Sequence, residues 1–456
     1  MLERIFKLSR CGTNARTEVL AGFTTFMTMA YILAVNPMVL GETGMNAGAV
    51  FTATALVSAL ASFFMAFAAN LPFVLSSAMG LNAYFAYTVV KGMGYSWEMA
   101  LAAVFTEGVI FIAMSLFHIR EAIFNAIPSN LKQAVSVGIG MFICFIGLQN
   151  AHISVAASTL VTGYSFHQSI ASGNFHTEGI TVLLALIGIL VMAFLVIKQV
   201  KGNILVGILI TWGIGVVCQL LGIYQPDPAA GYQSLIPTGI ISAPASLEPT
   251  FMKMDFSALT DGRMLDFVVV IFAFLFVDMF DTLGTLIGCA SKANMLDKDG
   301  KLRGIKGALF ADAIGTLMGA CVGTSTISTF VESSSGIAEG GRTGLTSVTA
   351  GVLFLFALFF SPIFLAIPSF ATAPALVLVG FFMMQQVTRI QWNDTLEALP
   401  CFICIFAMAF MYSISDGIAY GIISCTVLNT FAGRRSSVTP LMYILSVLFI
   451  IKYIFI

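Results

Sequence analysis

The chain contains about fourteen apolar runs, most of them close to the length of a membrane-spanning helix. Such a helix needs roughly 20 apolar residues to cross the hydrocarbon layer of a bilayer. The chain is 58% hydrophobic and 9% charged, whereas soluble domains carry about 25% charged residues. This pattern predicts an all-α polytopic membrane protein in a lipid bilayer, and the lack of a basic arm predicts no nucleic-acid partner. The runs lie at about 17–40, 48–69, 72–90, 97–117, 131–150, 179–197, 203–223, 266–290, 305–323, 325–340, 344–367, 372–388, 396–413 and 416–432.

The basic residues predict how these runs are oriented. Cytoplasmic loops of membrane proteins are enriched in Lys and Arg. With the N-terminal tail in the cytoplasm and the runs alternating, only Lys91, Lys253 and Arg263 of the 21 basic residues fall outside, and Lys452 is unassigned. We therefore expect a multi-pass protein of the cell membrane with a cytoplasmic N-terminus and an even number of spans. Residues 438–456 would lie at the interface, extend the last helix or form an extra crossing.

The two halves of the chain share a weak internal sequence similarity. At a shift of 256 residues, 22–32 overlays 278–288, and 76–83 overlays 332–339. Because these matches occur in the same order, we predict two halves of about seven spans each. Seven is odd, so the second half would insert upside down. Inverted repeats are typical of secondary transporters, whose substrate site lies near the middle of the membrane.

Two carboxylates interrupt the apolar run at 265–290, which contains FVDMFDTLGTLIG. Insertion of an acid into a membrane helix costs about 2.5–3.5 kcal/mol, so acids there usually have a function. Asp278 and Asp281 are three residues apart and share one helix face. We predict that Asp278 binds substrate. Asp281 is assigned either to proton coupling or to the support of neighbouring helices, and Asp278 and Glu332 are further candidates for proton coupling or helix support.

Two other runs are poor candidates for continuous helices. Residues 71–90 contain Gly80 and Asn82, and residues 324–347 are rich in Ser, Thr and Gly and contain Phe330 and Glu332. The stretch STISTFV within the second run is more typical of a strand than of a lipid-facing helix. Interrupted segments at matching places in two repeats indicate the binding site of a transporter. We therefore predict substrate contacts from all four of these residues.

Other polar side chains have structural alternatives that the sequence leaves open. Glu107 and Asp312 are expected to have structural partners, and Glu339 with Arg342 forms either an ion pair, a solvated turn or a gate. The spacing of His152, His167 and His176 fits no metal-ligand motif, so we predict neither a metal nor a cofactor.

The chemistry of the predicted site favours a flat, neutral solute with hydrogen-bonding edges. A carboxylate accepts from ring N–H groups, and an asparagine both donates and accepts. Aromatic faces for stacking are available from Tyr84, Phe85 and Phe330. Acids without a cation-site motif favour coupling to a proton, with Na⁺ left open.

Five motifs in order resemble the azaguanine-like (AzgA-type) purine permeases, a branch of the nucleobase:cation symporters. The motifs are GFTTFMTMAYILAVNP (22–37), AMGLNAYFAY (78–87), FVDMFDTLGTLIG (276–288), ANMLDKDG (293–300) and ESSSGIAEGGRTGLT (332–346). The resemblance covers nearly the whole chain. It implies proton-coupled import of a purine base through alternating access, with substrate contacts at Asp278, Glu332 and Asn82 and a functional role for Asp281. Within the branch, the motifs are closest to those of guanine/hypoxanthine permeases, and an adenine permease is the alternative.

The resemblance also implies a domain organisation of fourteen segments in two inverted repeats of seven. Segments three and ten would contain short strands that meet in mid-membrane, and a homodimer through the gate domain is left open. The implied units are a cytoplasmic tail (1–16), a core domain (17–117 and 265–367), a gate domain (118–223 and 368–456, with the C-terminal tail) and an extracellular loop (224–264).

Two rival functions follow from the residues alone. An Asp-x-x-Asp pair in a helix can hold Mg²⁺ and a diphosphate, as in intramembrane prenyltransferases, but such enzymes need a second acidic cluster with basic neighbours. An anion transporter on a similar inverted-repeat scaffold is the other rival, although an anion site favours a basic or neutral lining. We therefore expect a transporter and not an enzyme.

Overall fold

The structure, a computed structural model, describes most of the chain. The motif at 293–300 lies outside the described residues apart from Met295, and so does Arg120. The described residues are 2–116, 128–157, 160–227, 232–237, 239–260, 262–292, 295, 302–435 and 438–455.

Helices account for most of the described chain. In the first half they are α1 (Leu2–Phe6), α2 (Ala15–Met29), α3 (Ile32–Gly41), α4 (Ala47–Phe64), α5 (Met79–Ala83), α6 (Trp97–Leu116), α7 (Ser129–Asn150), α8 (Phe166–Ser172), α9 (Glu178–Ile197) and α10 (Asn203–Leu220). In the second half they are α11 (Met264–Lys292), α12 (Ile305–Val322), α13 (Ser333–Ala338), α14 (Gly344–Ala357), α15 (Ser361–Leu365), α16 (Ser369–Met384), α17 (Thr395–Phe410), α18 (Ile414–Phe431) and α19 (Pro440–Phe455). Wider π-helical turns follow α4 at Met65–Ala69 and α5 at Tyr84–Gly92.

Ten helical stretches in the described residues are long and apolar enough to cross a membrane. Of the predicted runs that these stretches do not cover, two are the interrupted segments, and the others are represented by α17 and α18. The helical membrane architecture is therefore confirmed, whereas the count of fourteen spans stays a prediction. Residues 440–455 form α19, a separate helix that packs against α18 and places Phe449 against Phe272 of α11, with ring centroids 5.6 Å apart.

The two interrupted segments meet through a pair of short strands, as the resemblance implies. Strand β1 (Leu75–Ser77) pairs antiparallel with β4 (Ile327–Thr329), so that Ser76 lies opposite Ser328. Hydrogen bonds from Ala78 to Thr326 and from Phe330 to Val74 extend this ladder at both ends. Backbone N–H and C=O groups at membrane depth need internal partners, and each strand supplies them to the other. A separate β-hairpin, β2 (Ser154–Ala157) with β3 (Leu160–Gly163), lies in a loop whose strands were not predicted.

Most of the helix packing falls into two groups. In one group α14 packs on α2 and α4, and α12 packs on α4 and α6. In the other, α7 packs on α16 and α17, and α9 and α10 pack on each other and on α16. Glycines allow this close approach: a Cβ at Gly140 would lie 2.8 Å from the Gly380 carbonyl oxygen, and a Cβ at Gly380 would lie 2.4 Å from that of Gly140. Small residues at such crossings are typical of membrane helices.

A buried carboxylate of α2 binds the N-terminus of α14. The Glu18 side chain accepts hydrogen bonds from the backbone N–H groups of Arg342 (2.8 Å), Thr343 (3.3 Å) and Thr346 (3.2 Å). The hydroxyl of Thr346 donates to the same carboxylate at 2.6 Å. The first N–H groups of a helix lack partners within the helix, and a negative charge there is favourable. Glu18, a residue of α2, therefore caps the N-terminus of α14. The sequence did not suggest this role.

Glu339 and Arg342 make separate contacts. The Arg342 guanidinium donates to the carbonyl oxygens of Ile337 and Gly341, both at 2.7 Å, and so caps the end of α13. Glu339 forms an ion pair with Lys201, which lies in the turn between α9 and α10. This ion pair joins the two helix groups. The sequence left open an ion pair between Glu339 and Arg342, and the structure shows different partners for the two side chains.

Candidate functional site

The two acids of α11 lie beside β4. Ser328, in the middle of β4, donates to Asp281 Oδ2 at 2.7 Å. Asp278 is fully buried, and Thr282, one helical turn further on, donates to Asp278 Oδ1 at 3.1 Å. The same Thr282 hydroxyl lies 2.7 Å from Oδ1 of Asp312 on α12. Asp312 therefore belongs to the same polar cluster, through a structural partner of the kind expected from the sequence.

Glu332 lies at the junction between β4 and α13. Its Oε1 accepts a hydrogen bond of 2.8 Å from the hydroxyl of Tyr31. Tyr31 is 1% exposed and occupies the break between α2 and α3. No sequence pattern indicated this residue, although it belongs to the motif at 22–37. An acid held by a buried phenol can still accept from or donate to a ligand, because a carboxyl group has further acceptor sites.

Asn82 is buried in α5, the short helix that follows β1. Its Oδ1 accepts from the Ser325 hydroxyl, and its Nδ2 donates to Asn36 Oδ1 at 2.6 Å. Ser325 lies two residues before β4, so the second interrupted segment contacts the predicted binding residue of the first. The sequence did not suggest either partner.

The other predicted contacts are placed differently. Gly80 is where α5 packs on α7, because a Cβ there would lie 2.9 Å from Ile139 Cγ2. Phe330 is 7% exposed and follows β4 directly. Tyr84 and Phe85 are fully buried and pack on Phe274, with ring centroids 4.9 and 6.4 Å away. Phe274 lies one helical turn before Asp278, so these rings lie close to the acids of α11 but are covered by protein.

The paired strands thus collect predicted site residues from three separate parts of the chain. Asp281 binds to β4, Glu332 follows it, and Asn82 is held by the residue two positions before it. A further acid, Glu107 of α6, accepts from Thr326 at 2.8 Å, just before β4. Within the described residues, no group of three or more His, Cys, Asp or Glu side chains could hold a metal ion. The arrangement offers carboxyl, amide, phenol and hydroxyl groups, which suit a solute with alternating donors and acceptors.

Similarity to known proteins decides the family. A family profile described as "Permease family" matches residues 16–420. The chain belongs to this permease family. The permease is 41% identical over 457 residues to the adenine permease AdeP of Escherichia coli (strain K12), covering 100% of this chain and 96% of that relative. It is also 41% identical over 464 residues to the guanine/hypoxanthine permease PbuG of Bacillus subtilis (strain 168), covering 100% of both chains. The resemblance seen in the five motifs is thereby confirmed.

The permease shares its fold with solved membrane-protein structures. The transmembrane domain of a cyanobacterium bicarbonate transporter, BicA, matches with a TM-score of 0.61 and 15% sequence identity, covering 89% of this chain and 97% of that one. At this identity, the similarity shows the fold alone. Membership of the permease family and the two permease relatives show a transport protein and not an enzyme, so the prenyltransferase alternative is wrong. The apolar helices of the described residues make it a multi-pass membrane protein.

Proposed function

We propose that the permease imports purine nucleobases by proton symport, with guanine and hypoxanthine as its preferred substrates. The observation that carries the proposal is the placement of Asp281, Glu332 and Asn82 at the paired strands, with the buried Asp278 about one helical turn before Asp281 on α11. Purine rings present N–H donors and N or O acceptors along their edges, which match carboxyl and amide groups. Two full-length relatives support the substrate class, since their names state adenine and guanine/hypoxanthine.

The preference for oxopurines rests on the chemistry of the acids. Guanine and hypoxanthine carry a 6-oxo group and an N1–H donor, whereas adenine carries an amine and a bare N1. A carboxylate at Asp278 or Glu332 facing N1–H would gain a charge-assisted hydrogen bond with an oxopurine that adenine cannot form. The adenine permease AdeP and the guanine/hypoxanthine permease PbuG have the same identity to this chain. An adenine permease is therefore the alternative.

The proposed cycle is alternating access. In this proposal the group containing α2–α6 and α11–α14 is the mobile core, and the group containing α7–α10 and α16–α18 is the gate, with the N-terminus in the cytoplasm of a cell-membrane protein. One carboxyl group of the site takes up a proton outside, the base binds, and the core moves. Release of both into the cytoplasm returns the acid to its charged form. The Lys201–Glu339 ion pair between the two groups would break or re-form as the core moves.

The test is uptake of labelled hypoxanthine by purine-transport-deficient cells that express the permease. We expect uptake that excess unlabelled guanine blocks and adenine does not, and that a protonophore abolishes. The physical reasons are the N1–H contact and the coupled proton. Replacing external Na⁺ by K⁺ should leave the rate unchanged.

The outcomes of this experiment separate the alternatives. Competition by adenine at least equal to that by guanine would assign the permease to adenine. Loss of uptake on removal of Na⁺, with no protonophore effect, would replace the proton by Na⁺. If membrane-inserted permease takes up no purine, the proposal fails, and chloride or sulfate flux in liposomes would then test the anion transporter.

A further inference from the structure

Asn36 lies in a fully buried chain of side-chain hydrogen bonds behind Asn82. Its Nδ2 donates to Thr54 Oγ1 at 2.7 Å and to Thr324 Oγ1 at 3.0 Å. Its Oδ1 accepts from Asn82 Nδ2 at 2.6 Å. The contacts join α3, α4, α5 and the segment before β4, so Asn36 connects three elements of the first repeat to the second.

In this series of side-chain hydrogen bonds, only one assignment of donors and acceptors is possible. The Thr54 hydroxyl carries a single hydrogen, which it donates to the Val50 carbonyl at 2.6 Å. Thr54 Oγ1 can therefore only accept, so the Asn36 amide must turn its nitrogen toward Thr54 and its oxygen toward Asn82. Asn82 must then turn its own nitrogen toward Asn36. The Ser325 hydroxyl, on the other side of Asn82, donates to the amide oxygen in agreement with this order.

The fixed direction determines what Asn82 can offer to a ligand. An amide has two N–H donors and an oxygen with two acceptor sites. One donor is used by Asn36 and one acceptor site by Ser325, which leaves one of each on Asn82. A rotated Asn82 amide would bring its oxygen against the Asn36 oxygen, two acceptors facing one another. Asn36 therefore determines which side of the Asn82 amide presents a donor and which side presents an acceptor.

We propose that Asn36 is a positioning residue, which fixes the Asn82 amide in one orientation for recognition of the base edge. The proposal rests on the proposed function, since it assigns Asn36 a part in purine selection. Without the Asn36 oxygen, the Asn82 amide can rotate, and the donor–acceptor order becomes mixed. Affinity for the base should fall, while the rate of the conformational cycle should stay the same.

The test compares Asn36→Leu, which has a similar shape and no polar group, with Asn36→Asp, whose buried carboxyl group in its neutral form accepts from Asn82 and donates to Thr54. We expect Asn36→Leu to raise the KM for hypoxanthine about tenfold, the effect of losing one hydrogen bond of ordinary strength. The maximum uptake rate should change less than about twofold, and Asn36→Asp should restore most of the affinity. Asn429 is also a buried asparagine, on α18. The substitution Asn429→Leu is therefore the matched control and should leave the KM for hypoxanthine unchanged.

A double-mutant cycle separates positioning from a general loss of structure. On an Asn82→Ala background, Asn36→Leu should not weaken hypoxanthine binding to purified protein further, because coupled residues are non-additive. An equal loss on both backgrounds, or an unchanged KM for Asn36→Leu, would overturn the proposal. If Asn36→Leu does not fold, Thr54→Val removes the orienting acceptor instead and should raise KM in the same direction.

A readout without ligand keeps this result distinct from failure of the proposed function. The same cycle, run on thermal unfolding of the purified protein without purine, should show coupling between Asn36 and Asn82. If wild-type protein binds no purine but this coupling is present, the purine function fails and the contact stands. If wild-type protein binds purine but the coupling is absent in both measurements, only the positioning role fails.

Discussion

Replacing Asp278 by Asn, or Glu332 by Gln, is expected to lower hypoxanthine uptake about ten- to a hundredfold. Each change keeps the shape of the side chain and removes a carboxylate that would accept from the ring N–H. Loss of a charge-assisted hydrogen bond costs about 1.5–3 kcal/mol, and about 2.8 kcal/mol is a hundredfold in affinity. Loss of a proton-carrying acid would add to this effect. Initial uptake rates, corrected for the amount of permease in the membrane, provide the measurement.

The control for these variants is an acid outside the site. Glu248 is exposed in the loop before α11, and Glu248→Gln should transport at the wild-type rate. Guanine uptake should fall in parallel with hypoxanthine uptake, because both bases carry N1–H. Full uptake by both Asp278→Asn and Glu332→Gln would show that the paired strands do not form the purine site, and the proposed roles of these acids would be abandoned.

The second large effect is on stability: Glu18→Ala should destabilise the folded permease by about 3 kcal/mol or more. The substitution leaves the backbone N–H groups of Arg342 and Thr343 without their acceptor. It also removes the carboxylate from the N–H and hydroxyl of Thr346, which keep only the Thr343 and Glu18 carbonyl oxygens at 3.2 and 3.3 Å. A buried donor that loses its partner costs about 1–3 kcal/mol, and several are affected here. Thermal unfolding of purified protein in detergent should show the change as a clearly lower midpoint temperature.

Comparison of Glu18→Gln with Glu248→Ala checks the cause. Glutamine keeps one oxygen acceptor but has no charge, so Glu18→Gln should lie between the wild type and Glu18→Ala. Glu248→Ala, in an exposed loop, should unfold at the wild-type temperature. If Glu18→Ala unfolded at that temperature too, the carboxylate would not be what stabilises the start of α14.

The interrupted segments could be predicted because their composition conflicts with their surroundings. The stretch TSTISTFV (324–331) is too polar and too β-branched for a lipid-facing helix, and the structure places β4 within it. Asp278 and Glu332 could be found for the same reason, since a charge in an apolar run is costly unless something holds it. Internal similarity between the halves then placed both segments at matching positions, and their strands pair.

The partners of these residues could not be predicted, because a polar side chain in a motif does not reveal what it contacts. Tyr31 reaches Glu332, which is 301 positions away in the sequence, and Ser325 reaches Asn82 across 243 positions. Tyr31 and Asn36 both belong to the motif at 22–37. That motif also contains Thr residues, and nothing in the sequence indicated which of its polar side chains contact the site. Glu18 lies at the edge of the first run, where an acid is ordinary, and only the fold buries it.

The pairing of β1 with β4 constrains the order in which the chain can be completed. Leu75 pairs with Thr329, so about 250 residues must be synthesised before the N–H and C=O groups of β1 find their partners. Until then, an extended segment in a membrane would carry polar backbone groups without acceptors, which is costly in hydrocarbon. The first repeat is therefore expected to wait in an aqueous or protein-lined environment, and its final insertion is coupled to arrival of the second. Contacts this distant in sequence also slow folding, so the half-made permease is the species most exposed to membrane quality control.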